Sequence, residues 1–276
     1  MIKKILVTVA GRGLCEEMVN MLMEIPSIKN ASVTVLHVVP SQISAQDMSA
    51  KLEAGGKILA EAVKALNLDP GQVNARLKQG DPKDLVLQVA EEEDSDLIVM
   101  GSRALGRLES ILKNSVSQYV FQLTSRPMLL VKDDIYVKKI RRIMVATDGS
   151  EASQQCIKLA LSFLREIPNS ELLLIHVNPN SKITTIEEDP VLSEAMAQAR
   201  QAGVSVSATI GRGNAGETIC QIADEKNVDL LILGSPDRRP SVAKTLPDID
   251  RLLGTSLSDY VRVKANCPVL LARTVD

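Results

Sequence analysis

The sequence has very few aromatic residues: its 276 residues include no Trp, three Tyr and two Phe. Proteins that bind single-stranded nucleic acids stack the bases on aromatic side chains within a positively charged groove. Here the Lys and Arg residues are spread through the chain, and the formal net charge is -2. We therefore do not expect a nucleic acid as a partner.

Cysteine and histidine are equally scarce, with four and two residues. The cysteines lie far apart without a C-x-x-C pair, which argues against a disulfide framework and a zinc site and indicates buried, reduced thiols. The histidines have no Cys, Asp or second His at ligand spacing, so we expect them to be structural or to line a site rather than to bind a metal. These residues are Cys15, Cys156, Cys220, Cys267, His37 and His176.

Long apolar runs are also missing. The apolar stretch near the N-terminus is too short for the core of a signal sequence, and no later run is long enough to cross a membrane. The sequence therefore predicts a cytoplasmic protein without a membrane partner.

What the chain does contain is the same pattern twice. Residues 2–11 return as residues 140–149, at an offset of 138 (140 minus 2), and three further matched segments follow in the same order. A fixed order of matched segments indicates a duplicated domain, and the length of the chain suits two domains. We predict one domain over residues 1–134 and a second over residues 139–276.

Within each copy, short runs of Val, Ile and Leu alternate with segments of helical period, which predicts βαβ units and a parallel sheet. The predicted fold class is α/β, with two tandem doubly wound domains, each a five-stranded parallel sheet with helices on both faces. Ligands bind such sheets at the carboxyl ends of the strands, where the strand order reverses. In the first copy the predicted strands are 5–9, 32–38, 72–78, 97–100 and 128–131, and the predicted helices are 16–24, 45–66, 83–93 and 109–123.

The first and fourth strands should flank this reversal, so the loops near Ala10 and Gly101, and near Asp148 and Gly234, are the places to look for chemistry. After Gly101 the first copy has a loop of small residues, then hydroxyls at a helix start. Backbone N–H groups and serine hydroxyls in such a loop can hold a phosphate. A capped helix explains the same serines equally well, so both interpretations stay open.

Several segments together resemble the universal stress protein family, once in each half: Asp-Gly-Ser at 148–150, His-Val at 176–177, Asp-Leu-Ile-Val-Met-Gly-Ser at 96–102 and Pro-Val-Leu-Leu at 268–271. The resemblance implies an adenine nucleotide alpha hydrolase-like fold. In the ATP-binding branch it also implies a phosphate loop, G-x2-G-x9-G-[ST], an Asp after the first strand, and a nucleoside contact after the His. Other members lack the loop motif and bind no nucleotide.

The first copy keeps the spacing of this loop but changes its residues. Ala104 and Asn114 replace two of the three glycines, and Ala10 stands where the family has its Asp. Asn tolerates a left-handed backbone better than other non-glycine residues, so it can preserve the turn. The candidate nucleotide contacts of the first half are Val38, Gly101, Arg103, Asn114, Ser115 and Ser117.

The second copy departs from the pattern in the opposite way. Asp148 is kept, but the loop is eight residues longer (260 minus 234 is 26, against 119 minus 101, which is 18), and Asp237 replaces the second glycine. Four cations add positive charge to the longer loop: Arg238, Arg239, Lys244 and Arg251. The candidate contacts of this half are Thr147, Asp148, Val177, Leu233, Gly234, Gly254, Thr255, Ser256 and Ser258.

The helix start in this copy allows two alignments that differ by one residue. Gly254 and Thr255 form a plausible G-[ST] pair, whereas counting back from Tyr260 aligns Ser256 with Ser115 of the first copy. The sequence leaves the two alignments open.

The resemblance predicts a stress-response sensor or regulator that binds ATP or another adenine nucleotide, with or without Mg²⁺, in the second half in preference to the first. The alternative is a nucleotide-free interaction protein of the same fold that acts through unknown protein partners. An ATP pyrophosphatase is disfavoured because the paired glycines and second acid of its loop are missing. At most we expect slow ATP hydrolysis, since neither half offers a convincing nucleophile.

Two acidic clusters, 91–94 and 187–189, look like solvated helix ends rather than an acid and base pair. Relatives with one domain commonly dimerise through the edge of the fifth strand. We therefore expect the two halves, joined by a short linker over 133–138, to pair as an internal pseudo-dimer. Whether two chains then form a further homodimer is left open.

Overall fold

The protein is described by a computed structural model over residues 2–102, 115–132, 135, 137–178, 183–236 and 256–274. The chain divides into two compact units, Met1–Tyr136 and Val137–Asp276. Each unit contains its own parallel sheet, and the two are described one after the other.

The first unit has five strands in the spatial order β3-β2-β1-β4-β5, and each adjacent pair is parallel. The order reverses between β1 and β4, as predicted for a doubly wound sheet. Its elements are β1 (Lys4–Thr8), α1 (Leu14–Met23), β2 (Ser32–Val39), α2 (Ala45–Ala65), a 3₁₀ turn (Pro70–Gln72), β3 (Val73–Gln79), α3 (Pro82–Glu92), β4 (Leu97–Ser102), α4 (Val116–Leu123) and β5 (Met128–Lys132).

The second unit repeats this arrangement, with the spatial order β10-β9-β6-β7-β8 and parallel pairing throughout. Its reversal lies between β6 and β9. Its elements are β6 (Arg142–Ala146), α5 (Glu151–Leu164), β7 (Glu171–Val177), α6 (Pro190–Gln201), β8 (Ser205–Gly211), α7 (Ala215–Glu225), β9 (Leu230–Pro236), α8 (Leu257–Lys264) and β10 (Val269–Thr274).

The central strands form the core of each unit. Leu6 and Val7 of β1, and Leu230, Leu231 and Ile232 of β9, are fully buried. A parallel strand is covered by helices on both faces, so it carries a continuous apolar run instead of an alternating one. This is why the fourth strand of each copy was easy to recognise from the sequence.

A matching aspartate fixes the start of the first strand in each unit. Asp96 accepts hydrogen bonds from the backbone N–H groups of Lys3 and Lys4, at 2.7 and 3.0 Å. Asp229 accepts the equivalent bonds from Arg141 and Arg142, at 2.9 and 2.8 Å. Both carboxylates lie at the amino edge of the sheet, so their recurrence in the two copies reflects the fold.

The predicted fold class is confirmed, and the strands and first three helices predicted for the first copy agree with the structure to within two residues. The first helix begins at Leu14, earlier than predicted, because Gly13 adopts a left-handed backbone (φ 79°) that turns the chain directly into it. Of the helix predicted over 109–123, residues 109–114 lie outside the described residues, and the helix in the structure begins at Val116 because Ser115 is an extended capping residue. Within the described part of the chain, no helix is long and apolar enough to cross a membrane.

Candidate functional site

The register of the second unit's strands places the predicted site residues beside one another on adjacent strands, at the same height along the sheet. Ala146 pairs with Ile175 and Val145 pairs with Ile232. Two residues further on, Asp148 is level with Val177, and Thr147 is level with Gly234. The Thr147 N–H still donates to the Ile175 carbonyl at 2.9 Å, so the strand geometry continues past the end of β6. These residues share the carboxyl edge of the sheet at its reversal point, where doubly wound sheets bind ligands.

Asp148 is exposed and held in place by the turn that it begins. Its Oδ1 accepts hydrogen bonds from the backbone N–H and the hydroxyl of Ser150, at 3.0 and 2.5 Å. Partial burial alone would raise the pKa of Asp148, but these hydrogen bonds outweigh it and hold the pKa below its usual value. The result is an ionised carboxylate at the end of β6 that can accept further hydrogen bonds from a ligand.

Hydroxyl groups and a glycine also stabilise the turn that contains Asp148. Buried Thr147 donates from its hydroxyl to Ser153 Oγ at 3.1 Å and accepts from the Gly149 N–H at 3.3 Å. Gly149 has a φ of 80°, a left-handed conformation that glycine adopts without strain. Ser150 then caps α5 by accepting from the Ser153 N–H. Thr147 therefore orients Asp148 without itself being open to a ligand.

A close approach brings the start of α5 against the end of β9. A Cβ atom added to Gly234 would lie 3.2 Å from the backbone of Ala152, closer than most real contacts. Leu233, just before it, is only 3% exposed. Its side chain therefore belongs to the core, which leaves its backbone as the part facing the edge.

His176 forms a hydrogen bond that the sequence analysis missed. Its Nδ1 donates to Asp189 Oδ2 at 2.7 Å, and Asp189 Oδ1 accepts from the N–H groups of Val191 and Leu192 at the start of α6. Asp189 is 2% exposed, so interpreting the whole 187–189 cluster as solvated was wrong for this residue, although Glu187 and Glu188 are exposed.

This pair also supports the site from one side. Val191 lies in the first turn of α6, two residues after the cap Asp189. Its side chain packs 3.1 Å from the position that a Cβ on Gly149 would occupy. In the first unit His37 donates instead to the Val9 carbonyl, at 2.7 Å. The second unit alone therefore links this histidine, through an aspartate, to the helix that packs against the turn of Asp148.

The start of α8 distinguishes the two alignments left open by the sequence. Ser256 caps α8 by accepting from the Asp259 N–H at 3.2 Å, and Ser115 caps α4 by accepting from the Gln118 N–H at 3.2 Å. Ser256 is therefore the structural counterpart of Ser115, which favours the alignment counted from Tyr260. The second serine of each pair lies beside the first, with Ser258 Oγ at 3.1 Å and Ser117 Oγ at 3.4 Å.

The first unit has the same edge without the acid. Thr8 pairs with Leu36 and Val7 with Val99, so Ala10 is level with Val38, and Gly101 is level with the residue before Ala10. The capping interpretation of Ser115 is confirmed, and Ser117 is 6% exposed. The loop residues between β4 and α4, and between β9 and α8, lie outside the described residues. They include the candidates Arg103, Asn114, Gly254 and Thr255, as well as Ala104, Asp237, Arg238, Arg239, Lys244 and Arg251.

A cleft of about 670 Å³ opens at the opposite, amino edge of the first unit. Two of its amide side chains are already used by the fold: Asn20 donates to the Ala65 carbonyl and accepts from the Asn67 N–H, and Gln72 donates to the Lys29 carbonyl. This cleft joins the ends of α1 and α2 and is distant from the predicted site. Across the described residues, no three His, Cys, Asp or Glu side chains gather as metal ligands.

A sequence model of the universal stress protein family matches this chain twice, over residues 1–132 and over residues 139–273. A universal stress protein of Thermus aquaticus is 44% identical over 82 residues, which are 30% of this chain and 58% of that protein. A universal stress protein of Methanothermobacter thermautotrophicus is 30% identical over 144 residues, covering 48% of this chain and 97% of that protein. The second relative therefore corresponds to one of the two halves.

Solved structures were compared with this chain for their fold. A universal stress protein from Archaeoglobus fulgidus covers 99% of this chain and 97% of its own length, with a TM-score of 0.75 and 20% identity, so the whole fold is shared. A family protein from Arabidopsis thaliana, solved with AMP bound, covers 48% of this chain and 91% of its own length, with a TM-score of 0.36 and 22% identity.

Proposed function

The chain belongs to the universal stress protein family, with one family domain in each half, and we infer that it acts by binding an adenine nucleotide in its second half. The proposed site is the carboxyl edge of the sheet between β6, β7 and β9. Its described contributors are Asp148, Val177 and Gly234, together with the start of α8.

One observation carries this proposal: Asp148 is an exposed, ionised carboxylate fixed at the point where the strand order reverses. Such a group accepts hydrogen bonds from ribose hydroxyls or from the amino group of adenine. The half-buried Val177, level with it, offers an apolar surface for a base. Gly234 lies at the third side of the same edge, where its lack of a side chain lets the start of α5 pack against the end of β9.

The first half is proposed to be mainly structural. Ala10 replaces the acid there, so the polar contact to the nucleoside is lost even though Ser115 and Ser117 are kept. A chain with one binding half and one degenerate half is suited to a sensor whose nucleotide occupancy changes its interactions with other proteins.

The test is calorimetry of the full chain with adenosine, AMP and ATP. We expect one ligand per chain, and we expect Asp148→Ala to reduce the affinity at least tenfold because a charge-assisted hydrogen bond contributes about 1.5–3 kcal/mol. Glu225→Gln is the matched control, since it removes an exposed carboxylate from the end of α7 and should leave binding unchanged.

Two results would contradict the proposal. Wild-type protein that binds none of these ligands would favour the alternative, a nucleotide-free interaction protein. Binding that survives in Asp148→Ala would move the site away from the second half's reversal point, and Ala10→Asp would then test whether the first half is the binding half.

A further inference from the structure

Two helices that begin at the carboxyl edge of the second unit start beside an aspartate. At α5, the cap Ser150 donates both its N–H and its hydroxyl to Asp148. At α8, the cap Ser256 donates its hydroxyl to Asp259 Oδ2 at 2.9 Å. The N-terminus of a helix carries partial positive charge and attracts anions. Here a carboxylate of the protein already compensates that charge at both helices.

Asp259 is fixed by three contacts. Its N–H donates to Ser256 Oγ, its Oδ2 accepts the Ser256 hydroxyl, and its Oδ1 accepts from Arg262 Nε at 3.0 Å. Arg262 is only 4% exposed, so it binds the carboxylate of Asp259 from the buried side of α8 and keeps it at the first turn. A phosphate approaching this turn must displace Asp259 Oδ2 from the cap hydroxyl and remain next to the displaced charge.

The first unit has neither carboxylate at the equivalent positions. Ala10 stands in place of Asp148, and α1 is capped by Gly13 without a side-chain bond. At α4, Gln118 takes the place of Asp259, and its N–H donates to Ser115 just as the N–H of Asp259 donates to Ser256. The two copies share their capping geometry at this helix, but the second has the ion pair of Asp259 with Arg262 where the first has the uncharged Gln118 and Phe121. A carboxylate at the cap is therefore what distinguishes the second copy.

We propose that Asp259, together with Asp148, makes the second half's site selective for adenosine or adenosine monophosphate over the di- and triphosphates. This inference rests on the proposed function, because it assumes that an adenine ligand binds beside Asp148. Ribose hydroxyls can donate to a carboxylate, whereas each added phosphate brings negative charge toward Asp148 and toward Asp259 Oδ2. Arg262 pairs with the other oxygen of Asp259, so it weakens this repulsion without removing the carboxylate from the cap. The carboxylates of the site therefore accept hydrogen bonds from the ribose hydroxyls and repel a polyphosphate.

The test variant copies the first unit. Asp259→Gln alone would leave the buried Arg262 without its ion-pair partner, which is costly in a buried position. The double variant D259Q/R262F avoids this because it installs the first unit's own residues, Gln118 and Phe121, of which Phe121 is likewise buried. Circular dichroism and the melting temperature check that the variant folds.

Calorimetry of the full chain without Mg²⁺, at fixed ionic strength, uses adenosine, AMP and ATP as probes. Wild-type protein should bind adenosine and AMP more tightly than ATP. D259Q/R262F leaves the net charge unchanged but removes the carboxylate, which is the end of the ion pair that contacts the cap hydroxyl, so the ATP affinity should rise by about two- to fivefold. Adenosine is neutral, so its affinity should stay within about twofold, whereas a purely structural change would alter all three.

Q118D/F121R is the matched control, because it places the second unit's ion pair at the equivalent positions of the other half; once its fold is checked in the same way, it should leave every affinity unchanged. Adenosine, AMP and ATP binding equally well to wild-type protein would overturn the inference alone, even if the double variant failed to fold. An unchanged ATP-to-AMP ratio in a folded double variant would also overturn it. No binding of any probe would overturn the proposed function and this inference together.

Discussion

Asp148 gives the candidate site its charge, and the hydrogen bonds from Ser150 lower its pKa from the ordinary value of 3.8. A lowered pKa means that folding favours the ionised form. The resulting stabilisation is fully present above the ordinary value and is lost as the pH falls through the lower, folded value. Asp148 is therefore ionised throughout the neutral range.

A prediction at the residue scale is that adenosine binding does not depend on the titration of Asp148 between about pH 5 and pH 8, and that the contribution of Asp148 is lost only below its ordinary pKa of 3.8. Adenosine is the suitable probe because it carries no phosphate that titrates in this range. Calorimetry at several pH values measures the profile. Asp148→Asn should bind weakly and should lose less affinity at acid pH than the wild type, because only protonation of the adenine ring remains. A wild-type midpoint near neutrality would show that another group controls binding.

The elements of the fold pack closely enough for neighbouring residues in one helix to respond in opposite ways. Gly55 and Gly56 are adjacent in α2. A Cβ on Gly55 would lie 2.6 Å from Val39 Cγ2 and 3.0 Å from the His37 ring, whereas nothing lies within 4 Å of one on Gly56. Glycine inside a helix is less stable than alanine unless the missing side chain has no room.

We therefore predict opposite signs for two alanine substitutions. Gly56→Ala should raise the free energy of unfolding by about 0.5–1 kcal/mol, because it removes the entropy cost of glycine without a clash. Gly55→Ala should lower it by about 1–3 kcal/mol, because α2 must move away from β2. Urea denaturation followed by circular dichroism measures both, and two changes of the same sign would show that α2 does not pack on β2 as described.

The start of α6 carries a second prediction at this scale. Asp189→Ala removes the acceptor of two backbone N–H groups and the partner of His176, and should cost about 1–3 kcal/mol of stability. Asp189→Asn keeps a good capping residue and should recover part of this loss. Asp81→Ala, at a more exposed cap that accepts from the Lys83 N–H, should cost about 1 kcal/mol or less. Equal losses at Asp81 and Asp189 would argue against a special role for the histidine pair.

What the sequence predicted at this scale depended on distance along the chain. The β4 and β9 strands were recognisable because their apolar runs are local, and Pro82 marked the start of α3 for the same reason. His176 and Asp189 are thirteen residues apart (189 minus 176), across a connection whose path no periodicity specifies. The cap of α8 was ambiguous because Thr255 and Ser256 are both good capping residues, and only the hydrogen bond to the Asp259 N–H distinguishes them.

At the scale of the whole molecule, duplication lets each unit serve as the reference for the other. Features that recur, such as Asp96 with Asp229 and Ser115 with Ser256, belong to the shared fold. Features that occur once, such as Asp148 and the pair of His176 with Asp189, are where a function limited to one half should reside. This divergence predicts that a ligand acts on one half of the chain.

Hydrogen exchange of the full chain with and without adenosine tests that prediction. Amides that close around a bound ligand exchange more slowly, because opening then requires the ligand to dissociate. We expect protection in peptides covering 147–153, 176–178 and 233–236, and none in the matching peptides 9–15, 37–39 and 100–102. Asp148→Asn should remove the protection. Equal protection of both sets would mean that Ala10 does not disable the first half, and that the loss of the acid is not what separates the two copies.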